Sequence, residues 1–176
     1  MNITAPLTKE TALALKAGDS VKISGTIFTA RDAAHKLMIE TLNKGGKLPF
    51  DVNGQIIYYV GPCPSKPGEV IGSCGPTTSG RMDAYAPTLI RMGLAGMMGK
   101  GERTEEVYSA MQQEGCVYFG AVGGCGALLA SCVTAVEEIA YSELLSESVK
   151  KLTVKDFPAI VIADAHGGNL YKTRGL

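Results

Sequence analysis

The sequence predicts a single layered α/β domain, and three observations lead there. Short apolar runs of strand character, QIIYYV at Gln55 to Val60 and FPAIVIAD at Phe157 to Asp164, are interleaved with helical patterns. The interleaving keeps no strict strand–helix–strand rhythm, which disfavours a doubly wound parallel sheet. With 176 residues, 45% hydrophobic content and a mean hydropathy of +0.12, the chain suits one substantial core and is too short for two large domains.

Taken in order, TKETALALK at 8–16 predicts a short helix capped by Thr8 and closed at Gly18, followed by an apolar-rich strand from Asp19 to Phe28. Thr29 as N-cap with Asp32 three positions on makes a capping-box pattern for a helix to about Asn43, stopped by Gly45 and Gly46. After the Gln55 to Val60 strand, the prolines and glycines from Gly61 to Gly72 predict an extended, turn-rich connection. Ser79 caps a predicted helix to about Met92, and GLAGMMGKGER, from Gly93 to Arg103, predicts a mobile glycine-rich loop holding Lys100. Thr104, followed by Glu105 and Glu106, opens a helix ending near Gly115. CVYFGAV is a short strand and GGCG a turn. Residues 127–141 divide between an early helical ALLA and a later β-branched strand. A short helix is expected at 143–151, and HGGNLY at 166–171 gives a turn and a final edge strand. No internal repeat or linker is present.

Lys plus Arg and Asp plus Glu are both 17, so no global basic field exists to collect nucleic acid. No segment approaches the roughly 18 apolar residues of a membrane span, and the start MNITAPLTKE lacks a signal pattern, so a cytoplasmic protein is expected. Five cysteines, at 63, 74, 116, 125 and 132, form no CxxC pair and are odd in number. They read as small buried hydrophobes rather than as a disulfide framework or metal set.

The run GPTTSGRMD at 75–83 places Arg81 in the first turn of the helix predicted there, where unpaired N–H groups favour anions over a cation. Arg31 sits in a second such first turn. The chain has five arginines, at 31, 81, 91, 103 and 174, so two of them occupy starts of separate helices. Two anion sockets, each built from backbone N–H groups and a guanidinium fork, suit a doubly charged ligand. The alternative is that each arginine pairs with a neighbouring carboxylate such as Asp32 or Asp83, or extends into solvent.

GPTTSGRMD resembles the β subunit, or C-terminal domain, of the iron–sulfur class I fumarases and the related tartrate dehydratases. The likeness extends over SGTIFTARDAAHKLM, YYVGPCP, MMGKGER, YFGAVGGCGALLA and DFPAIVIADAHGGNLY, in family order. It implies a three-layer swivelling β/β/α domain with mixed sheets, closing over a cluster-bearing α subunit. The implied activity is reversible hydration of fumarate to malate, with L-tartrate dehydration as the alternative. A binding module for dicarboxylates or other anions, without chemistry, is the alternative of another class. The resemblance also implies a four-iron, four-sulfur cluster ligated by the partner and not by this chain. A hetero-oligomer follows, with self-association of the isolated chain as a further option.

By resemblance Arg31 and Arg81 bind the substrate carboxylates, Lys100 is the active-site lysine, and Thr77 abstracts the proton. An unperturbed hydroxyl is a poor base, so that role needs neighbouring cations and backbone donors; the other reading is that Thr77 only binds substrate or caps the helix. Lys100 is otherwise a solvated loop lysine. Thr78 and Ser79 belong to the helix start, while Asp32 and Asp83 are expected to hold the two arginines. His35, one turn after Arg31, either orients a carboxylate or water or packs in the core. His166 is expected to be structural.

Overall fold

The computed structural model describes residues 1–173, so Arg174 lies outside the described residues. Seven strands form one sheet: β1 (Asn2–Ala5), β2 (Ser20–Thr29), β3 (Ile56–Tyr58), β4 (Gly96–Gly99), β5 (Val117–Gly120), β6 (Val133–Ala140) and β7 (Val149–Ala163). Their order is β1-β2-β3-β4-β5-β7-β6, and an additional β2–β7 pairing closes the sheet on itself. β2, β3, β4 and β5 run parallel, while β7 is antiparallel to both β5 and β2. The helices are α1 (Lys9–Ala14), α2 (Asp32–Asn43), α3 (Ala86–Arg91), α4 (Glu105–Glu114), α5 (Gly126–Ser131) and α6 (Leu170–Thr173), with 3-10 turns at Ser79–Met82 and Ser142–Glu147.

Period-two alternation sorts the strand side chains into two cores. Ile56, Tyr58, Val60, Met98, Val117 and Phe119 join Ile23, Ile27 and Leu152 inside the closed sheet. Their neighbours Ile57, Tyr59, Met97 and Tyr118 face the other way, against Ala34 and Met38 of α2, Leu89 and Ile90 of α3, and Val107 and Met111 of α4. This is β/β/α layering in which both β layers come from one curled sheet. Each fully buried Ile or Met contributes about 1.5–3 kcal/mol by leaving water. The bend that permits closure falls at Gly25, where the β2–β7 register shifts. Its φ is +110°, and a Cβ there would collide with the Ala5 carbonyl on β1, so only glycine fits.

Thr8 caps α1 as expected, its hydroxyl accepting from the Thr11 N–H at 3.1 Å. Several other expectations change. α2 begins at Asp32 with Arg31 at the N-cap position, because Thr29 is the last residue of β2 and its hydroxyl is occupied by β7, accepting from the Lys150 N–H at 3.1 Å. The single helix expected from Ser79 to Met92 is instead a 3-10 turn and then α3, which restarts around Pro87, a residue suited to a helix's first turn and not its interior.

The GLAGMMGKGER segment contains the buried strand β4 rather than a free loop. The segment expected to be helical at 143–151 turns to strand at Val149, giving β7 fifteen residues. The chain ends in α6, not an edge strand, with one bridge between Ala163 and Asn169. β1 was not anticipated from the sequence at all.

Candidate carboxylate-binding site

The carboxyl ends of parallel strands are where α/β sheets place their ligand sites, since the connections leave open backbone there. Arg31 lies two residues beyond the end of β2, Gly61 three beyond β3, and Lys100 one beyond β4. The GPTTSGR segment is laid across these ends by backbone pairing. The Thr77 N–H donates to the Tyr59 carbonyl at 2.8 Å, the Lys100 N–H to the Thr77 carbonyl at 3.3 Å, and the Ser79 N–H to the Lys100 carbonyl at 2.9 Å. Thr78 and Lys100 form a parallel bridge. Thr77, Thr78, Ser79 and Lys100 are thus brought together. The same bonds occupy the Thr77 and Ser79 N–H groups, so these two donors are not free to hold an anion.

Tyr118 ties this junction from below. Its hydroxyl is 2.8 Å from the Gly101 carbonyl and 2.9 Å from the Ser79 hydroxyl. Its single proton goes to the carbonyl, and Ser79 supplies the proton of the other bond. Ser79 is fully buried and therefore serves this lock rather than an N-cap bond. At Gly99 a Cβ would collide with the Ser79 hydroxyl, so glycine is what lets the two segments approach.

Arg81 and Lys100 are exposed, and among the described residues neither has a carboxylate within ion-pair distance. Arg31 adjoins the end of β3, where the Cβ position of Gly61 is 3.1 Å from its Nη1. Its guanidinium is turned to carboxylates: Nη2 is 3.1 Å from Glu147 and 3.6 Å from Asp32. Asp32 lies within ion-pair distance of Arg31 but makes no hydrogen bond to it. Asp83 does not hold Arg81. It accepts from Arg103 Nε at 2.6 Å and from the Thr104 N–H at 2.7 Å, so it neutralises a different arginine and caps α4. The reason is topological: the β4–α4 connection brings Arg103 under the turn, while Arg81 points to solvent.

Arg103 is the residue that sequence reasoning passed over. Its side chain is wholly buried, between the rings of Tyr59 and Tyr118 at 5.3 and 5.2 Å, with Nη1 3.2 Å from Met97 Sδ. Burial opposes its charge, yet Tyr59 and Asp83 hold the guanidinium above its ordinary value. The only sequence signal was position, directly before the Thr104 helix start. His35 also belongs to this buried group. Its Nδ1 donates to the Arg31 carbonyl at 2.8 Å, its ring meets Tyr59 edge-on at 5.4 Å, and desolvation lowers its pKa from 6.5 to about 4. It is a neutral core histidine that supports the start of α2. His166 donates through Nε2 to the Leu13 carbonyl at 2.8 Å and ties β7 to α1.

The cysteines do not fit an iron–sulfur cluster. Among the described residues no three Cys, His, Asp or Glu side chains group closely enough to hold a metal ion. Burial pushes the Cys74 thiol up to about 11 and the Cys116 thiol up to about 12, opposite to the lowered values typical of reactive cysteines. Backbone pairing sets Thr77 against Lys100, with exposed Arg81 four residues on, while Arg31 lies past the end of β2 and pairs with carboxylates.

A fumarase C-terminus family model matches residues 1–174. A Methanocaldococcus jannaschii protein named "Putative L(+)-tartrate dehydratase subunit beta" is 41% identical over 172 residues, covering 94% of this chain and 88% of its own length. The class I aerobic fumarate hydratase of Escherichia coli K12 is 37% identical over 154 residues, covering 86% of this chain. Fumarate hydratase 2 of Leishmania major is 38% identical over 156 residues, covering 88%. The chain spans only 28% of the length of each of these two hydratases. Matched over residues 1–174 by that model and over most of its length by relatives that include a protein named as a separate subunit, the chain belongs to the fumarase C-terminus family.

Proposed function

We propose that this chain is the substrate-gripping β subunit of a two-component hydro-lyase that hydrates fumarate to malate, working with a cluster-bearing α subunit. What supports this most is the backbone ladder that sets Thr77 against Lys100, with the unpaired Arg81 four residues on. Arg81 and Arg31 would take the two carboxylates as forks, fixing both ends of a flexible C4 acid. In the reverse, dehydrating direction, Lys100 would offset the charge that grows on one carboxylate as the carbon-bound proton leaves. Thr77 would receive that proton, its alkoxide favoured by the adjacent cations. Closure of the domain over its partner would exclude water from these charges. On this reading the chain works in the cytoplasm with neither a membrane nor a nucleic-acid partner.

L-tartrate is the second reading for substrate, favoured by the near full-length match to a tartrate dehydratase β subunit. The two substrate classes differ in hydroxyl groups, and polar contacts on the partner would decide between them. The test is anaerobic reconstitution with a cluster-bearing α subunit, following initial rates on malate, fumarate and both tartrate enantiomers. Activity only in the mixture supports the proposal. Activity of this chain alone, or carboxylate binding with no activity alongside any α subunit, contradicts it.

A further inference from the structure

We propose that Glu147 is a resident competitor for the Arg31 subsite: an internal carboxylate that an incoming ligand carboxylate must displace, and that thereby sets ligand affinity. The inference rests on the reading of Arg31 as a carboxylate-binding residue. Arg31 meets Glu147 through Nη2 alone, at 3.1 Å, while its Nε is buried without a partner. An arginine fork saturates a carboxylate through two parallel N–H bonds, so the resident pairing leaves half of the recognition geometry unused. A ligand that takes both nitrogens gains a bond that Glu147 does not make.

The segment carrying Glu147 is built to yield. No residue of Ser142–Glu147 is buried, and the Leu145 side chain is 77% exposed. Two non-glycine residues hold left-handed backbone, Tyr141 at φ 59° and Leu145 at φ 55°, conformations that persist only where surroundings enforce them. The contacts on Leu145 are polar, Lys150 Nζ and the Ser148 hydroxyl both donating to its carbonyl at 2.9 and 2.8 Å, while Tyr141 and Leu144 pack against the helix-covered core. The Ser146 carbonyl lies 3.4 Å from the Cβ position of Gly61, so the segment rests on the same strand end as Arg31. Displacement of the carboxylate of Glu147, whose side chain is 24% exposed, would free Arg31 Nη2 for a ligand.

The test titrates succinate, a C4 dicarboxylate that cannot be hydrated, into the isolated chain while following the Arg31 Nε–Hε signal by NMR. Glu147→Gln removes the competitor. Glu147→Asp keeps the charge but shortens the reach by one methylene. The competitor role predicts that both variants bind succinate about three- to six-fold more tightly than the native chain, the ratio set by displacing a partly exposed ion pair. Tightening in Glu147→Gln with native affinity in Glu147→Asp would show a field effect and overturn the proposal, as would unchanged affinity in both. Failure of the Arg31 signal to move in any of the three proteins would overturn the reading of Arg31 itself, and the competitor with it.

Discussion

Replacing Asp83 by Asn should strip the charge partner from a buried guanidinium while leaving shape and volume nearly intact. Arg103 is wholly buried, its Nε is 2.6 Å from Asp83, and its Nη2 has no hydrogen-bond partner among the described residues. Water therefore cannot replace the lost carboxylate. Removing one partner of such a pair costs about 3–5 kcal/mol, against roughly 5–15 kcal/mol for a whole domain. For a chain of this size each kcal/mol lowers Tm by about 2–4 °C, so a drop of roughly 6–20 °C is expected. The assay is thermal and urea unfolding of native protein, Asp83→Asn, Arg103→Met and the double variant.

The pair predicts that the double variant recovers much of the loss, since an apolar side chain between two aromatic rings leaves no uncompensated charge. Arg81→Met should be nearly neutral and show no coupling to Asp83→Asn. Coupling of Asp83 to Arg81 instead, or a loss below about 0.5 kcal/mol in Asp83→Asn, would refute the assignment.

Tyr118→Phe keeps the ring but orphans the Gly101 carbonyl and Ser79 hydroxyl, so a loss of about 2–4 kcal/mol in unfolding free energy is expected, with Ser79→Ala losing only about 1 kcal/mol. In the reconstituted pair, Tyr118→Phe should lower kcat, because the same hydroxyl fixes the spacing of the Ser79 and Lys100 segments. His35 stays neutral in the fold while the unfolded chain takes up a proton near 6.5, so its contribution is complete above 6.5 and lost as pH falls toward about 4. Urea unfolding across that window should show native stability falling more steeply than in His35→Phe. Gly99→Ala should push the Ser79 hydroxyl aside and cost about 1–3 kcal/mol, measured by thermal unfolding, with parallel loss of activity in the pair.

Much of this architecture is legible in the sequence where local pattern and final environment agree. QIIYYV alternates between two cores and still reads as a strand, because both of its faces are buried. The α1 cap was readable from Thr8, and the division of 127–141 into α5 and β6 from its change of side-chain type. β4 was hidden because Gly96 and Gly99 resemble loop residues, although both are demanded by close neighbours, Ile56 and Phe119 at one and Ser79 at the other. The broken helix before α3 should have been readable from Pro87.

At the site, the sequence places Arg31 and Arg81 at helix starts and Lys100 in a glycine-rich loop; Arg31 is the N-cap of α2, Arg81 lies in a short 3-10 turn and Lys100 directly follows β4. The partners of the charged groups are not legible there. Asp83 and Arg103 are separated by twenty positions, and Arg31 and Glu147 by more than a hundred, distances over which only the closed sheet decides who meets whom.

The most direct measurement is a crystal structure of the reconstituted pair with succinate bound. The account predicts one carboxylate on Arg81 and Lys100 and the other on Arg31 at roughly 2.7–2.9 Å, with Thr77 against the carbon between them and Glu147 displaced. A dicarboxylate seated elsewhere, with Arg81 and Lys100 still facing open solvent, would contradict it.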